Sequence, residues 1–179
     1  NVNMKPGITL WYDYLSGTSD ADLNATDQKW KSFNPVFDTG HKYYGLQDLF
    51  LGVGTGSESS GTAGLGLQDL AIKTKMSPAP GWVFKADYHW FWTAESATAN
   101  SARGVYARDF TAGQRVLGHG NLDNSLGTEV DLSLSNKYNA NTTITAGFSN
   151  YSNTLLFRDL RNVDGGSANW AYLQFDVKF

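Results

Sequence analysis

The stretch Asn169-Trp-Ala-Tyr-Leu-Gln-Phe-Asp-Val-Lys-Phe179 sets Ala171, Leu173, Phe175, Val177 and Phe179 at every second position and fills the gaps with Tyr172, Gln174, Asp176 and Lys178. A repeat of two residues describes a β-strand with one apolar and one polar face. Helical spacing, which would return an apolar residue every three or four positions, does not fit it.

Five earlier segments keep the same rhythm. Ile8, Leu10, Tyr12 and Tyr14 alternate with Thr9, Trp11 and Asp13, and Leu70, Ile72, Thr74 and Met76 alternate with Asp69, Ala71, Lys73 and Lys75. Trp82, Phe84, Ala86, Tyr88, Trp90 and Trp92 stand opposite Val83, Lys85, Asp87, His89 and Phe91. Thr128, Val130, Leu132, Leu134 and Tyr138 stand opposite Glu129, Asp131, Ser133, Ser135 and Lys137. A weaker segment sets Ile144, Ala146 and Phe148 against Thr143, Thr145, Gly147 and Ser149. The ionisable residues gather on one face, and a slip of one residue would move them all to the other, so the facing of each strand is pinned.

The connections alternate in length. Ser77-Pro-Ala-Pro-Gly81 and Asn139-Ala-Asn141 are compact turns of Pro, Gly and Asn. The other joins, roughly 17–63, 94–126 and 152–167, are long. Short turns at one rim and long loops at the other are the pattern of a membrane barrel whose long loops lie outside the cell. Counting back from a last strand that ends on the periplasmic side places all three long loops outside. Within the first of them, residues 44–54 read partly as a strand. A spanning strand there would break this parity, so the segment is expected to fold over or into the lumen.

The 179 residues, 41% hydrophobic and 14% aromatic, suffice for one domain with a core. No run of eighteen apolar residues offers a transmembrane helix, whereas barrel strands dilute their apolar positions with lumen-facing polar ones. A net charge of -3 without a Lys/Arg cluster speaks against nucleic acid. The absence of cysteine removes disulfides, thiol nucleophiles and thiolate metal sites.

The stretch Phe33-Asn-Pro-Val-Phe-Asp-Thr-Gly-His-Lys-Tyr-Tyr-Gly-Leu-Gln-Asp-Leu-Phe50, with Gly66-Leu-Gln-Asp-Leu70, Ala86-Asp-Tyr-His-Trp90, Leu126-Gly-Thr-Glu-Val-Asp131 and Ala171-Tyr-Leu-Gln-Phe-Asp-Val-Lys-Phe179, resembles the C-terminal part of the alginate-export family of outer-membrane β-barrels. The resemblance implies an all-β, antiparallel transmembrane barrel of about sixteen to eighteen strands, of which this chain supplies six. Isolated, six strands would leave two unpaired edges in lipid, so the expectation is that further strands precede Asn1, the alternative being several chains that close one barrel together. It further implies a porin-like channel in the outer membrane of a Gram-negative bacterium, passing an anionic solute such as an alginate-like polysaccharide without chemistry or cofactor. Its surroundings would be outer-membrane lipid and lipopolysaccharide.

Lys73, Lys75, Lys85, Asp87, His89, Glu129, Asp131 and Lys137 are the expected pore-lining residues, joined by Asp13 and Asp69 on the same face. They bias which solute enters, or they pair across strands and stiffen the wall. All five arginines, Arg103, Arg108, Arg115, Arg158 and Arg161, fall in the two later loops. There they contact anionic sugar or lipopolysaccharide phosphate, or form an ordinary solvated surface beside Asp109, Asp123, Asp159 and Asp164.

Asp87 and His89 could set up a general base, but no nucleophile accompanies them, so the imidazole reads as a hydrogen-bonded wall residue. With His41 and His119 in loops, the three histidines show no metal-ligand spacing. Gly52-Val-Gly-Thr-Gly56 lacks the Lys-Ser/Thr pair of a phosphate loop. Trp82, Trp90 and Trp92 fall where interfacial girdle rings belong. The rival readings are a barrel that serves as scaffold or partner in a cell-envelope complex, and a soluble carbohydrate-binding β-sandwich whose aromatic rings form core or a sugar platform.

Overall fold

In a computed structural model of the chain, residues 4–27, 29–33, 43–50, 62–96, 107–109, 114–116, 124–161, 163 and 165–179 are described. In chain order the elements are β1 (Gly7–Leu15), α1 (Asp20–Asn24), β2 (Leu67–Met76), β3 (Trp82–Trp92), β4 (Ala107–Asp109), β5 (Gln114–Val116), β6 (Ser125–Lys137), β7 (Thr142–Asn153), α2 (Leu155–Arg161) and β8 (Ser167–Val177). All six alternating segments are strands. They pair antiparallel in the order β1-β2-β3-β6-β7-β8, and β4 and β5 make a separate two-stranded ladder.

The sheet is an open meander, with β1 and β8 at its edges rather than joined in a closed barrel. The turn between β2 and β3 closes at Gly81, whose φ of +79° is a conformation that glycine enters without a steric penalty. β6 and β7 reach further than the side-chain pattern, pairing Gly127 with Asn153. The alternation fades there because the register of β3 against β6 shifts between Phe91 and Trp92. The β3–β6 ladder resumes on the far side of the irregularity, with Leu126 left without a partner on β3.

The registers line up residues of the ionisable face into rows across the sheet. One row runs Lys75, Lys85, Ser133, Gly147 and Tyr172, the next Lys73, Asp87, Asp131, Ser149 and Trp170, and a third Ala71, His89, Glu129, Tyr151 and Ala168. The opposite face is apolar and open: Ile8, Leu10, Leu173 and Phe175 are 79%, 72%, 63% and 62% exposed. Among the described residues, the buried hydrophobic cluster of Phe50, Leu65, Leu67, Phe91, Leu126, Tyr151, Leu156 and Phe157 gathers instead around the ends of the strands from which the long connections leave.

Tyr172 lies flat against Gly147, its direct cross-strand partner, and a Cβ at that position would fall inside the phenol ring. Gly147→Ala is therefore expected to cost about 1–3 kcal/mol by overpacking. A double-mutant cycle with Tyr172→Ala, read by urea unfolding of the intact protein, should return most of that loss. Additive losses would show that the two residues do not touch.

Candidate functional site

Alternation sends Lys73, Lys75, Lys85, Asp87, His89, Glu129, Asp131 and Lys137 to the same face of the sheet, together with Asp13 and Asp69. The charges are not scattered evenly over it. Lys75 faces Lys85 directly near the short turns, while Asp87 faces both Lys73 and Asp131 one row further on. Asp69, Glu129 and Asp131 lie deeper, at 0%, 0% and 5% exposure. Lys73 stands opposite Asp87 in the ladder without closing an ion pair, its ammonium turned to the 43–50 segment, and like charges meet at Lys75–Lys85 and Asp87–Asp131, an arrangement that disfavours the bare wall.

What shields the acidic rows is the segment 43–50, which crosses the face from β1 to β8. Tyr43 stacks on Trp11 with ring centroids 6.0 Å apart, and Lys73 Nζ donates to the Tyr43 carbonyl over 3.4 Å while standing 5.4 Å above the Trp11 ring. The Leu46 amide donates to Asp131 Oδ2 at 3.2 Å and the Gln47 amide to Glu129 Oε1 at 3.0 Å. The Gln47 side-chain amide bonds Ser149 Oγ at 3.1 Å and the Ala168 carbonyl at 3.2 Å.

Gly45 makes this approach possible: its φ is +79°, and a Cβ there would lie 2.5 Å from the Glu129 carboxylate. The segment ends on Phe50, whose ring meets Phe91 at 4.5 Å and Tyr151 and Phe157 at 6.0 Å each. Residues 44–50 therefore fold onto the ionisable face, as expected of the stretch 44–54; its last four residues lie outside the described ones.

His89 takes a different partner from the one its own strand suggests. Its Nδ1 lies 2.9 and 3.0 Å from the two oxygens of Asp69 on β2, whereas Nε2 is 3.9 Å from Asp131, beyond hydrogen-bond reach. The imidazole is 1% exposed and stacks on Phe91 at 5.4 Å. Asp69 is diagonal to His89 in the ladder, a relation that no spacing along one strand reveals.

Of the loop arginines, Arg103 lies outside the described residues. Arg108 and Arg115 are backbone partners in the β4–β5 ladder. Arg158 and Arg161 belong to α2. Arg161 donates to the Leu49 carbonyl and sits 6.0 Å over the Phe157 ring, so it fastens the 43–50 segment to α2. Burial lowers its pKa from the ordinary guanidinium value, and the group stays cationic at neutral pH. His41, His119 and Gly52–Gly56 also lie outside the described residues, and among those described no group of three His, Asp or Glu is placed to hold a metal.

Two aromatic residues of the terminal strand, Trp170 and Tyr172, join the ionisable face, their centroids 4.8 Å apart. Strict alternation in Asn169–Phe179 carried that information, although charge alone did not single them out.

Phe50→Ala is expected to remove about 3–5 kcal/mol of packing from the anchor of the 43–50 segment. Deuterium exchange at the Leu46 and Gln47 amides of the intact protein should then speed up by about 100-fold or more. Unchanged exchange at both amides would mean that the two carboxylates hold the segment without the ring.

No curated protein and no solved structure matches the chain. The sequence profile described as alginate export matches residues 1–153, from the start of the chain to the last residue of β7. β8 is the one strand of the large sheet beyond that span. A match over most of the chain, on a six-stranded antiparallel sheet with separate apolar and ionisable faces, shows that this chain belongs to the alginate export family.

Proposed function

We propose that the chain forms six adjacent strands of an outer-membrane β-barrel of a Gram-negative bacterium, a porin-like channel that passes an anionic hydrophilic solute such as an alginate-like polysaccharide. The observation that carries this reading is the separation of the two faces over strands of 9 to 13 residues. That length suits a tilted transmembrane β-strand. The apolar face meets hydrocarbon and the ionisable face lines a watery lumen. Membership of an alginate export family supports transport as the activity and a polysaccharide as the cargo.

Edges at β1 and β8 support a larger barrel in which further strands pair with both, because an unpaired backbone group costs several kcal/mol in lipid. The long connections then lie outside the cell, and the segment 43–50 narrows the lumen from that side. A soluble β-sandwich would need a second layer over Ile8, Leu10, Leu173 and Phe175, whose exposure argues instead for lipid.

Planar-bilayer recordings of the intact protein test the reading. Stepwise conductance that uronate oligomers interrupt is expected, whereas a sealed lumen favours a scaffold in an envelope complex and overturns transport. The lipid contact has its own test. Leu132→Lys should cost about 2–4 kcal/mol when the intact protein is unfolded from vesicles, and Ser133→Lys on the other face much less. Equal costs would argue against hydrocarbon on the apolar side.

A further inference from the structure

On the ionisable face, between β8 and β3, lies a cavity of about 560 Å³ lined by Lys85, Asp87, Ser133, Trp170, Tyr172 and Gln174 among others. Its cause is a run of small side chains. β7 contributes Thr145, Gly147 and Ser149 to this face, and β6 contributes Ser133 and Ser135, so the wall is hollow between the rings of β8 and the charges of β3.

The aromatic side of the hollow is built. Trp170 and Tyr172 are two positions apart on β8, and their rings stack on each other, centroids 4.8 Å apart at 30°, so that Tyr172 backs and orients the indole. Tyr172 is held flat by the missing side chain of Gly147. Both rings keep partial exposure, and Lys85 is exposed across the hollow with no ion pair among the described residues. Gln174 adds an amide, Ser133 a hydroxyl and Asp87 a carboxylate. Rings of the interfacial girdle would point to the apolar face, with Ala171, Leu173 and Phe175, and these do not.

An indole face backed by a second ring and set opposite polar groups fits a pyranose ring. The C–H face of the sugar lies on an aromatic face, its hydroxyls donate to a carboxylate or accept from an amide, and a uronate carboxyl meets an ammonium group. We infer that Trp170 and Tyr172 form a sugar-stacking subsite of the channel wall, with Lys85 opposite as the carboxylate contact. The inference rests on the channel reading above and adds a place where the moving polysaccharide pauses. It uses β8, the strand beyond the span that the family profile covers.

The probe is a mannuronate tetramer, and the readout is the residence time of each blocking event in single-channel recordings of the intact protein. Trp170→Ala should shorten it about tenfold, the loss expected when one aromatic contact is removed. Trp170→Phe should keep most of it, and Trp82→Ala, on the apolar face, should leave it unchanged. Wild-type open-pore conductance in each variant shows that the barrel is folded. Residence times unaltered by Trp170→Ala overturn the subsite and leave the channel standing. Should the wild type not conduct, the channel reading fails, and tryptophan fluorescence of the detergent-solubilised protein then decides separately. A change on adding the tetramer that Trp170→Ala abolishes supports the subsite, and no such change overturns it.

Discussion

The row Lys73, Asp87, Asp131, Ser149, Trp170 is the constraint on which everything else depends. Five residues from five strands share one line across one face because each strand keeps a strict two-residue alternation and each ladder keeps its register. If any strand slipped by one position, charges would enter the apolar face and leucines the ionisable one. The segregation of faces is therefore a collective property of the ladders rather than of any single pair.

With the faces separated, the molecule must deal with carboxylates crowded on one side. Asp87 and Asp131 are directly opposed, and Glu129 lies one row away, fully buried. The segment 43–50 answers this by turning the Leu46 and Gln47 amides toward Asp131 and Glu129. Gly45 lets the chain come close enough, and Phe50 with Arg161 anchors its far end. The acidic rows and the segment thus explain each other: the carboxylates hold it, and its amides make their burial tolerable.

The ionisable face is used unequally. The part under the segment is buried, acidic and fastened, whereas Lys75 and Lys85 stay exposed beside the hollow that Trp170 and Tyr172 line.

The sequence by itself determined the six strands of the large sheet, their facing and the short turns, because period-two alternation and Pro/Gly/Asn turns are local signals that neighbouring residues suffice to express; the short β4 and β5 and the helices α1 and α2 lie in stretches that read only as loops. It also indicated where 44–50 would lie, since strand parity left that stretch no place in the sheet. Partnership was decided only by the tertiary structure. Asp69 rather than Asp87 holds His89, Arg161 clamps Leu49, and Gly147 receives Tyr172. Each of these joins residues at least 20 positions apart in the chain. Such contacts follow from ladder register and from the path of a loop across a face, and the physical reason they stay hidden is that no periodicity within one strand encodes its offset against the next.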